Sequence, residues 1–417
     1  MASGDDVTTY SAARVRGDTP LLNRVINDHQ ITYLDSASTS LQPRAVIEAI
    51  SRYYELHHAN VHRAVYQTAE EATATYEGAR EAVARFINAP GGAGEVVFTK
   101  NATESFNLLA KSWGAANLRE GDVVLVSEME HHANIVPWFQ LRETTGIEVR
   151  FIPTTDDYRL NLTGFDELMN GVKLLSITGM SNVLGTINPI KELAAMAHQR
   201  GALIAVDGAQ SVAHSPTDVI DLDIDFLVCT GHKMLGPTGI GIFWTRAEIL
   251  AIMPPFLGGG GMIADVRTDG YTPADGPTRF EAGTPPIAEA AGLLAAIRYL
   301  EGLGMAEIML HEHALTADVL ERLITEFEGR VRIIGPANTK DRGGVISLDV
   351  EGVHPHDVAQ VLDQFGVCVR PGHHCAKPLM RRFGLAATVR ASYGPYSLSR
   401  DTDVLIEALS HALKMFG

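Results

Sequence analysis

The chain has 417 residues, 46% of them hydrophobic and 20% charged, the proportions of an ordinary soluble globular enzyme. Its 34 basic residues against 50 acidic ones give a net charge of −16, which argues against a nucleic-acid or anionic-membrane surface. No apolar run reaches the roughly 20 residues of a bilayer span, Met1 to Asp18 lacks the apolar core of a secretory signal, and three cysteines are too few and too scattered for a disulfide framework or a four-ligand zinc site. A reducing cytoplasm fits best.

Short apolar runs alternate with longer helical patterns along the chain. Strands are predicted over Val96–Thr99, Val123–Ser127, Lys173–Ile177, Leu203–Val206, Asp225–Val228 and Ile240–Trp244, with helices over Glu104–Trp113 and Ile190–Arg200. That alternation builds βαβ units and a mostly parallel sheet, an α/β fold. In such sheets ligands bind beyond the carboxyl ends of the strands. Leu257-Gly-Gly-Gly-Gly-Met262 and the Pro/Gly-rich stretch to Pro286 read as an irregular segment, mobile or partner-contacting. A long helical pattern from Ile287 through Phe327 then leads into a second α/β pattern ending at Gly417. A large domain with a smaller companion is the natural division for this length. The breaks set it at a large domain over 25–299 and a small domain made of 1–24 with 300–417.

The residues that follow the strands carry chemistry. Val96–Thr99 runs into Asn101-Ala-Thr103-Glu104, which opens a helix whose free N–H groups suit an anion, although Thr103 alone would read as an ordinary N-cap. Val123–Ser127 runs into Glu128-Met-Glu-His131-His132, where a histidine can stack on a planar group and move protons near neutral pH. Leu203–Val206 ends at Asp207-Gly-Ala-Gln210, a fixed negative charge in a cleft. Asp225–Val228 leads into Cys229-Thr230-Gly-His232-Lys233, a lysine in a Gly-rich turn between two apolar strands. A partly desolvated lysine there can form a Schiff base with an aldehyde. With an aspartate about 26 residues upstream for a pyridinium nitrogen, this is the pair that pyridoxal phosphate requires, and Thr103, Thr230 and His232 complete a phosphate cradle. Cys229 and Cys368 sit in apolar runs and read as core. Arg370-Pro-Gly-His373-His374-Cys375-Ala-Lys377 puts Cys375 at the tip of a loop, where cationic and imidazole neighbours lower the cost of forming the thiolate. Alone it would be a structural cysteine; beside Lys233 and Asp207 it reads as a nucleophile.

Together these motifs, with Val-Arg390-Ala-Ser, resemble those of group II cysteine desulfurases of the SUF type, which are fold-type I, class V aminotransferase-like enzymes. The resemblance runs from Tyr33-Leu-Asp-Ser-Ala to the C-terminus. It implies that Lys233 holds pyridoxal phosphate, Asp207 partners the pyridinium, Gln210 lies near the phenolic oxygen and His131 stacks on the ring. It also implies phosphate contacts from Thr103, Thr230 and His232, a further one from Thr284 donated across a homodimer, and a bidentate clamp on the substrate carboxylate by Arg390. Asn182 and His62 would line the substrate side, with Arg370 beside the cysteine loop. The implied activity converts L-cysteine to L-alanine, leaves a persulfide on Cys375 and supplies sulfur for iron–sulfur cluster assembly.

His354-Pro-His356-Asp357 reads locally as a helix start with a capping histidine. Its wording also resembles SUF desulfurases that pass sulfur to a zinc-containing scaffold-like acceptor, which implies a transient zinc-ligand role for His356. Thr230 stands where serine is common, and Gly261 replaces a larger residue. Three alternatives stay open: a selenocysteine lyase, which fits the same pocket; another class V enzyme, which needs no Cys375; and a non-catalytic protein keeping the fold, at odds with intact Lys233, Asp207 and Arg390.

Overall fold

The computed structural model describes residues 10–62 and 65–416, so the first nine residues of the predicted polar N-terminus, and Gly417, lie outside it. Its centre is a seven-stranded sheet of β1 (Val96–Thr99), β2 (Val123–Ser127), β3 (Glu148–Ile152), β4 (Val172–Thr178), β5 (Leu203–Asp207), β6 (Phe226–Thr230) and β7 (Gly241–Thr245), in the order β1-β7-β6-β5-β4-β2-β3. The pairs β3–β2, β2–β4, β4–β5 and β5–β6 are parallel. β1, β2, β6 and β7 are buried along their whole length, which is why each reads as an unbroken apolar run.

Two features depart from the expected pattern. β7 runs antiparallel to both neighbours, β1 and β6. The 231–240 turn is too short for the dozen or more residues of a parallel crossover, so the chain can only double back. β3 was not predicted: it is one of the two edge strands, half-exposed over most of Glu148-Val-Arg-Phe-Ile, and charged residues there hide the strand signal.

The predicted helical run from Ile287 to Phe327 is two helices, Ile287–Leu303 and Met305–Phe327, broken where Gly304 takes φ 83°. The 257–286 segment is not wholly irregular, since it contains a hairpin of β8 (Ile263–Arg267) and β9 (Gly270–Pro273).

A second, antiparallel sheet has the order β10 (Val331–Ile334), β11 (Val345–Val350), β13 (Thr388–Ser392), β12 (Arg370–Gly372). Leu320, Ile346, Leu348, Val389 and Leu409 form its core with the helices Met305–Phe327 and Ser399–Phe416. Helix Ala12–Asp18 is fastened to this part by a buried ion pair, Arg16 Nη1 to Asp401 Oδ2 at 3.0 Å. Thr32–Tyr33 then pairs in parallel with Val367–Cys368, which delivers the following loop, 35–42, to the space between the two sheets. Among the described residues no helix is long and apolar enough to cross a membrane.

Candidate active site

β1, β2, β4, β5 and β6 end at one edge of the large sheet, and the residues just beyond them line a single cavity. Asn101 and Thr103, His131, Met180 and Asn182, Asp207 and Gln210, and Thr230, His232 and Lys233 form its walls, while Arg370, His374 and Arg390 close it from the small sheet. β7, being antiparallel, begins at this edge. A Cβ on Gly241 would stand 2.5 Å from the carbonyl carbon of Asn101, so glycine alone lets the two backbones meet there. The helix that starts at Ala102 is capped by Asn101, whose Oδ1 accepts from the Glu104 N–H at 3.0 Å. Thr103 is therefore not the cap, and it lines the cavity.

Lys233 ends a single turn after β6. The 35–42 loop clasps that turn: Ser40 N–H donates to His232 O at 2.9 Å, Leu235 N–H to Ser40 Oγ at 2.8 Å, and Gln42 Nε2 to Gly236 O at 3.0 Å. Burial lowers the Lys233 pKa to about 8, against the opposing charge of Asp207 and with help from Arg390 and Arg370. Burial likewise pushes the Asp207 carboxyl up, while the Ala209 N–H at 3.0 Å and the Lys233 charge pull it down. His131 is lowered to about 3, chiefly by burial and then by Lys233, so its ring is neutral. Its Nδ1 accepts from the Ala133 N–H at 3.1 Å, which leaves the ring proton on Nε2.

Five buried atoms on the cavity residues have no hydrogen-bond partner in the protein: Thr230 Oγ1, Gln210 Oε1, Asn182 Oδ1, His374 Nδ1 and Arg390 Nε. Each such orphan costs about 1–3 kcal/mol unless something else meets it. A cavity lined by an amine, a buried carboxylate, a neutral imidazole, the hydroxyl-bearing Thr103 and Thr230 and these orphans fits pyridoxal phosphate.

The Cys375 loop follows β12 and brings His374 to the cavity wall, while Cys375 itself stands just outside the lining. His374 and Cys375 both take left-handed backbone angles, φ 51° and 57°, which non-glycine residues seldom adopt. Four contacts hold them there: Asn182 Nδ2 donates to His374 O at 2.8 Å, His132 N–H to Cys375 O at 2.8 Å, and Cys375 N–H to His373 Nδ1 at 3.1 Å, while His374 Nε2 meets Thr388 Oγ1 at 2.8 Å. Cys375 is half-buried rather than fully exposed at a tip. Beside it Arg390, 1% exposed, donates to Asp35 Oδ1 at 3.2 Å, Ser38 Oγ at 2.7 Å and Asn182 O at 2.9 Å, and its Nε has no partner. Arg370 shares Ser38 Oγ at 3.0 Å.

Some expected residues lie elsewhere in the single chain. His62 is exposed, outside the cavity, with Nε2 3.5 Å from Glu77 Oε1. Thr284 is exposed and also outside it. His356 is exposed near the start of helix Pro355–Gln364, and the capping histidine is His354, whose Nδ1 accepts from the His356 N–H at 3.3 Å. Cys229 is buried in β6, and Cys368 is partly buried, its thiol pushed up to about 11 by burial. Sequence reasoning missed Asp35, Ser38, His132 and Glu130. The first two are brought in by the Thr32–Tyr33 pairing, and the word Tyr33-Leu-Asp-Ser-Ala hinted at Asp35 alone, since it stops one residue short of Ser38.

Residues 32–405 match the aminotransferase class-V family. The chain is 49% identical to a probable cysteine desulfurase of Streptomyces coelicolor over 97% of both sequences. It is 45% identical to a cysteine desulfurase of Haloferax volcanii, again over 97% of each. Among solved structures, the apo cysteine desulfurase of Thermococcus onnurineus NA1 superposes with a TM-score of 0.92 at 40% identity, covering 100% of both chains. The Escherichia coli cysteine desulfurase CsdA gives 0.90 at 36%, over 98% of this chain and 100% of its own. With a family match spanning most of its length and relatives this close from end to end, the chain belongs to the class V aminotransferase family.

Proposed function

We propose that this protein is a pyridoxal-phosphate-dependent cysteine desulfurase of the group II, SUF type. It converts L-cysteine to L-alanine and carries the sulfur away as a persulfide on Cys375. The observation that carries this reading is the meeting of Lys233, Asp207 and Arg390 at one cavity with the Cys375 loop beside it.

Lys233, Asp207, Gln210, His131, Thr103, Thr230 and His232 would hold the cofactor. When bound, pyridoxal phosphate supplies an electron sink joined to the substrate amine. Arg390 orients the substrate carboxylate, with Asn182 and Arg370 at the same wall. The Lys233 amine, close to half neutral near pH 8, takes the Cα proton. Neutral His131 would stack on the cofactor and relay protons. The Cys375 thiolate attacks the substrate sulfur, the new S–S bond forms as the Cβ–S bond breaks, and protons returned at Cβ and then, from Lys233, at Cα give alanine.

The protein works in this reading as a cytoplasmic homodimer, with 25–299 as cofactor domain and 1–24 with 300–417 as small domain. Exposed Leu257, Val266 and Tyr271 around the β8–β9 hairpin support a subunit contact, which would bring Thr284 to the neighbouring phosphate and His62 to a substrate side. Sulfur goes to iron–sulfur cluster assembly through a zinc-containing scaffold-like acceptor, with exposed His356 as transient ligand. Substituting His356 then slows acceptor-stimulated turnover and spares the basal rate.

The deciding experiment records absorbance before and after L-cysteine with sulfide and alanine assayed together, for wild type and Cys375→Ser. A Cys375→Ser protein releasing sulfide at the full rate defeats the proposal. Alanine release from selenocysteine far above that from cysteine would instead identify a selenocysteine lyase.

A further inference from the structure

We propose that His132 is a positioning residue that latches the Cys375 loop beside the cavity through a neutral ring nitrogen. The proposal rests on Cys375 being the nucleophile. His132 follows His131 at the carboxyl end of β2, and it touches the loop at the cysteine and two residues beyond it. Its backbone N–H donates to Cys375 O at 2.8 Å, and its ring Nε2 accepts from the Lys377 N–H at 3.0 Å. These two bonds join the large sheet to the loop at the place where His374 and Cys375 take left-handed angles. A backbone held in that region persists only when its surroundings over-determine it. Asn182 supplies the other tie from the large sheet, through His374 O at 2.8 Å.

The latch depends on protonation. Nε2 accepts a hydrogen bond only while it carries no proton, so the ring proton sits on Nδ1. Burial, then His373 and Lys377, lower the His132 pKa, which keeps the ring neutral at pH 7. The groups that face it are the His373 ring at 5.8 Å and Lys377 from the loop, and the His131 ring at 6.3 Å from its own segment. None of these is acidic, so nothing stabilises a charged His132. Once protonated, Nε2 would turn a donor towards the Lys377 N–H and release the loop.

The test labels Cys375 in the holoenzyme with iodoacetamide and follows its peptide by mass spectrometry, for wild type, His132→Ala and His132→Gln. A glutamine carbonyl stands where Nε2 accepts but does not titrate. His132→Ala should label about tenfold faster and turn over about tenfold more slowly, with the absorbance change on adding L-cysteine intact. His132→Gln should resemble wild type at pH 7.5. The ratio of wild-type to His132→Gln labelling should rise as pH falls towards 5.5. Wild-type labelling and turnover in His132→Ala would overturn the proposal, and so would a ratio independent of pH. Should His132→Ala fail to fold, the pH ratio decides alone. A Cys375→Ser enzyme with full turnover would defeat the desulfurase reading while leaving the labelling result standing.

Discussion

Arg390 donates to Asp35 Oδ1 at 3.2 Å, so the guanidinium proposed to meet the substrate is itself anchored by a carboxylate from the 35–42 loop. Burial lowers the Arg390 pKa to about 10, and Asp35 is the chief group opposing that fall. The planar fork reaches Asp35, Ser38 and Asn182 O together, which a lysine ammonium on a single stem cannot do. Arg390→Lys should therefore raise KM for L-cysteine and lower kcat/KM by about 10- to 100-fold, the loss of one to two charge-assisted hydrogen bonds. Steady-state kinetics with an unchanged KM would contradict the clamp.

Lys233 sets a pH dependence in the cofactor-free protein. Its pKa is lowered to about 8, so above that pH the folded amine is neutral while an unfolded lysine stays charged until about 10.5. The folded state thus releases its proton first, and this group adds stability to the apo protein as pH rises from about 8 to 10.5. In the proposed reading the same neutral amine would attack the aldehyde. The rate at which apo protein takes up pyridoxal phosphate, read by absorbance, should rise through a midpoint near pH 8, and a flat profile from pH 6.5 to 9.5 would count against it.

Lys233, Asp207 and Cys375 stood out in the sequence because each lies in a short word whose chemistry is local (a turn after a strand, a carboxylate at a strand end, a cysteine among cations), and the structure brings Lys233 and Asp207 to one cavity. The six predicted strands also stood out, since burial on both faces writes them as apolar runs. What holds the site together was not legible. Asp35 and Ser38 reach Arg390 across 355 and 352 residues of chain, and no spacing rule connects such positions. His132 looked like a spare neighbour of His131, because its role depends on the backbone of a loop 245 residues away. His62 and Thr284 show the converse: family wording points to them, yet one chain alone does not bring them to the cavity.

Glu130 stands in a buried polar network behind His131. It accepts from Ser127 Oγ at 2.6 Å, Thr178 N–H at 2.9 Å and Asn134 Nδ2 at 2.7 Å. Burial outweighs those donors and raises its pKa to about 8. An acid held protonated in the fold while ionised in the unfolded chain costs stability progressively as pH rises from about 4.3 towards 8. Glu130→Gln removes that slope but turns two amide N–H groups towards neighbours that are donors, at a cost of about 1–3 kcal/mol. In urea denaturation the variant should be the less stable protein at pH 5, and the gap should narrow by pH 8. A gap that widens with pH would mean the native carboxyl is ionised.

At the opposite edge of the large sheet, His198 ties the helix Ile190–His198 to the starts of β5 and β6. Its Nε2 lies 2.8 Å from Asp225 Oδ2, which also accepts from the Ile204 N–H at 2.8 Å, and its Nδ1 lies 3.3 Å from Asp223 Oδ2. Burial alone would lower the His198 pKa. The hydrogen bond and charge of Asp225, joined by Asp223, outweigh it, and the net shift is upward. A histidine raised in the fold gives its full stabilisation below its ordinary pKa of about 6.5 and loses it as pH climbs through the folded value. His198→Gln keeps one neutral hydrogen bond to Asp225 but no titratable charge. The stability difference between wild type and His198→Gln should therefore be largest at pH 6 and shrink by pH 9, while turnover stays within about twofold because the cluster lies far from the cavity. Thermal midpoints across that range measure it, and a difference that does not vary with pH would show that His198 acts by packing and not by charge.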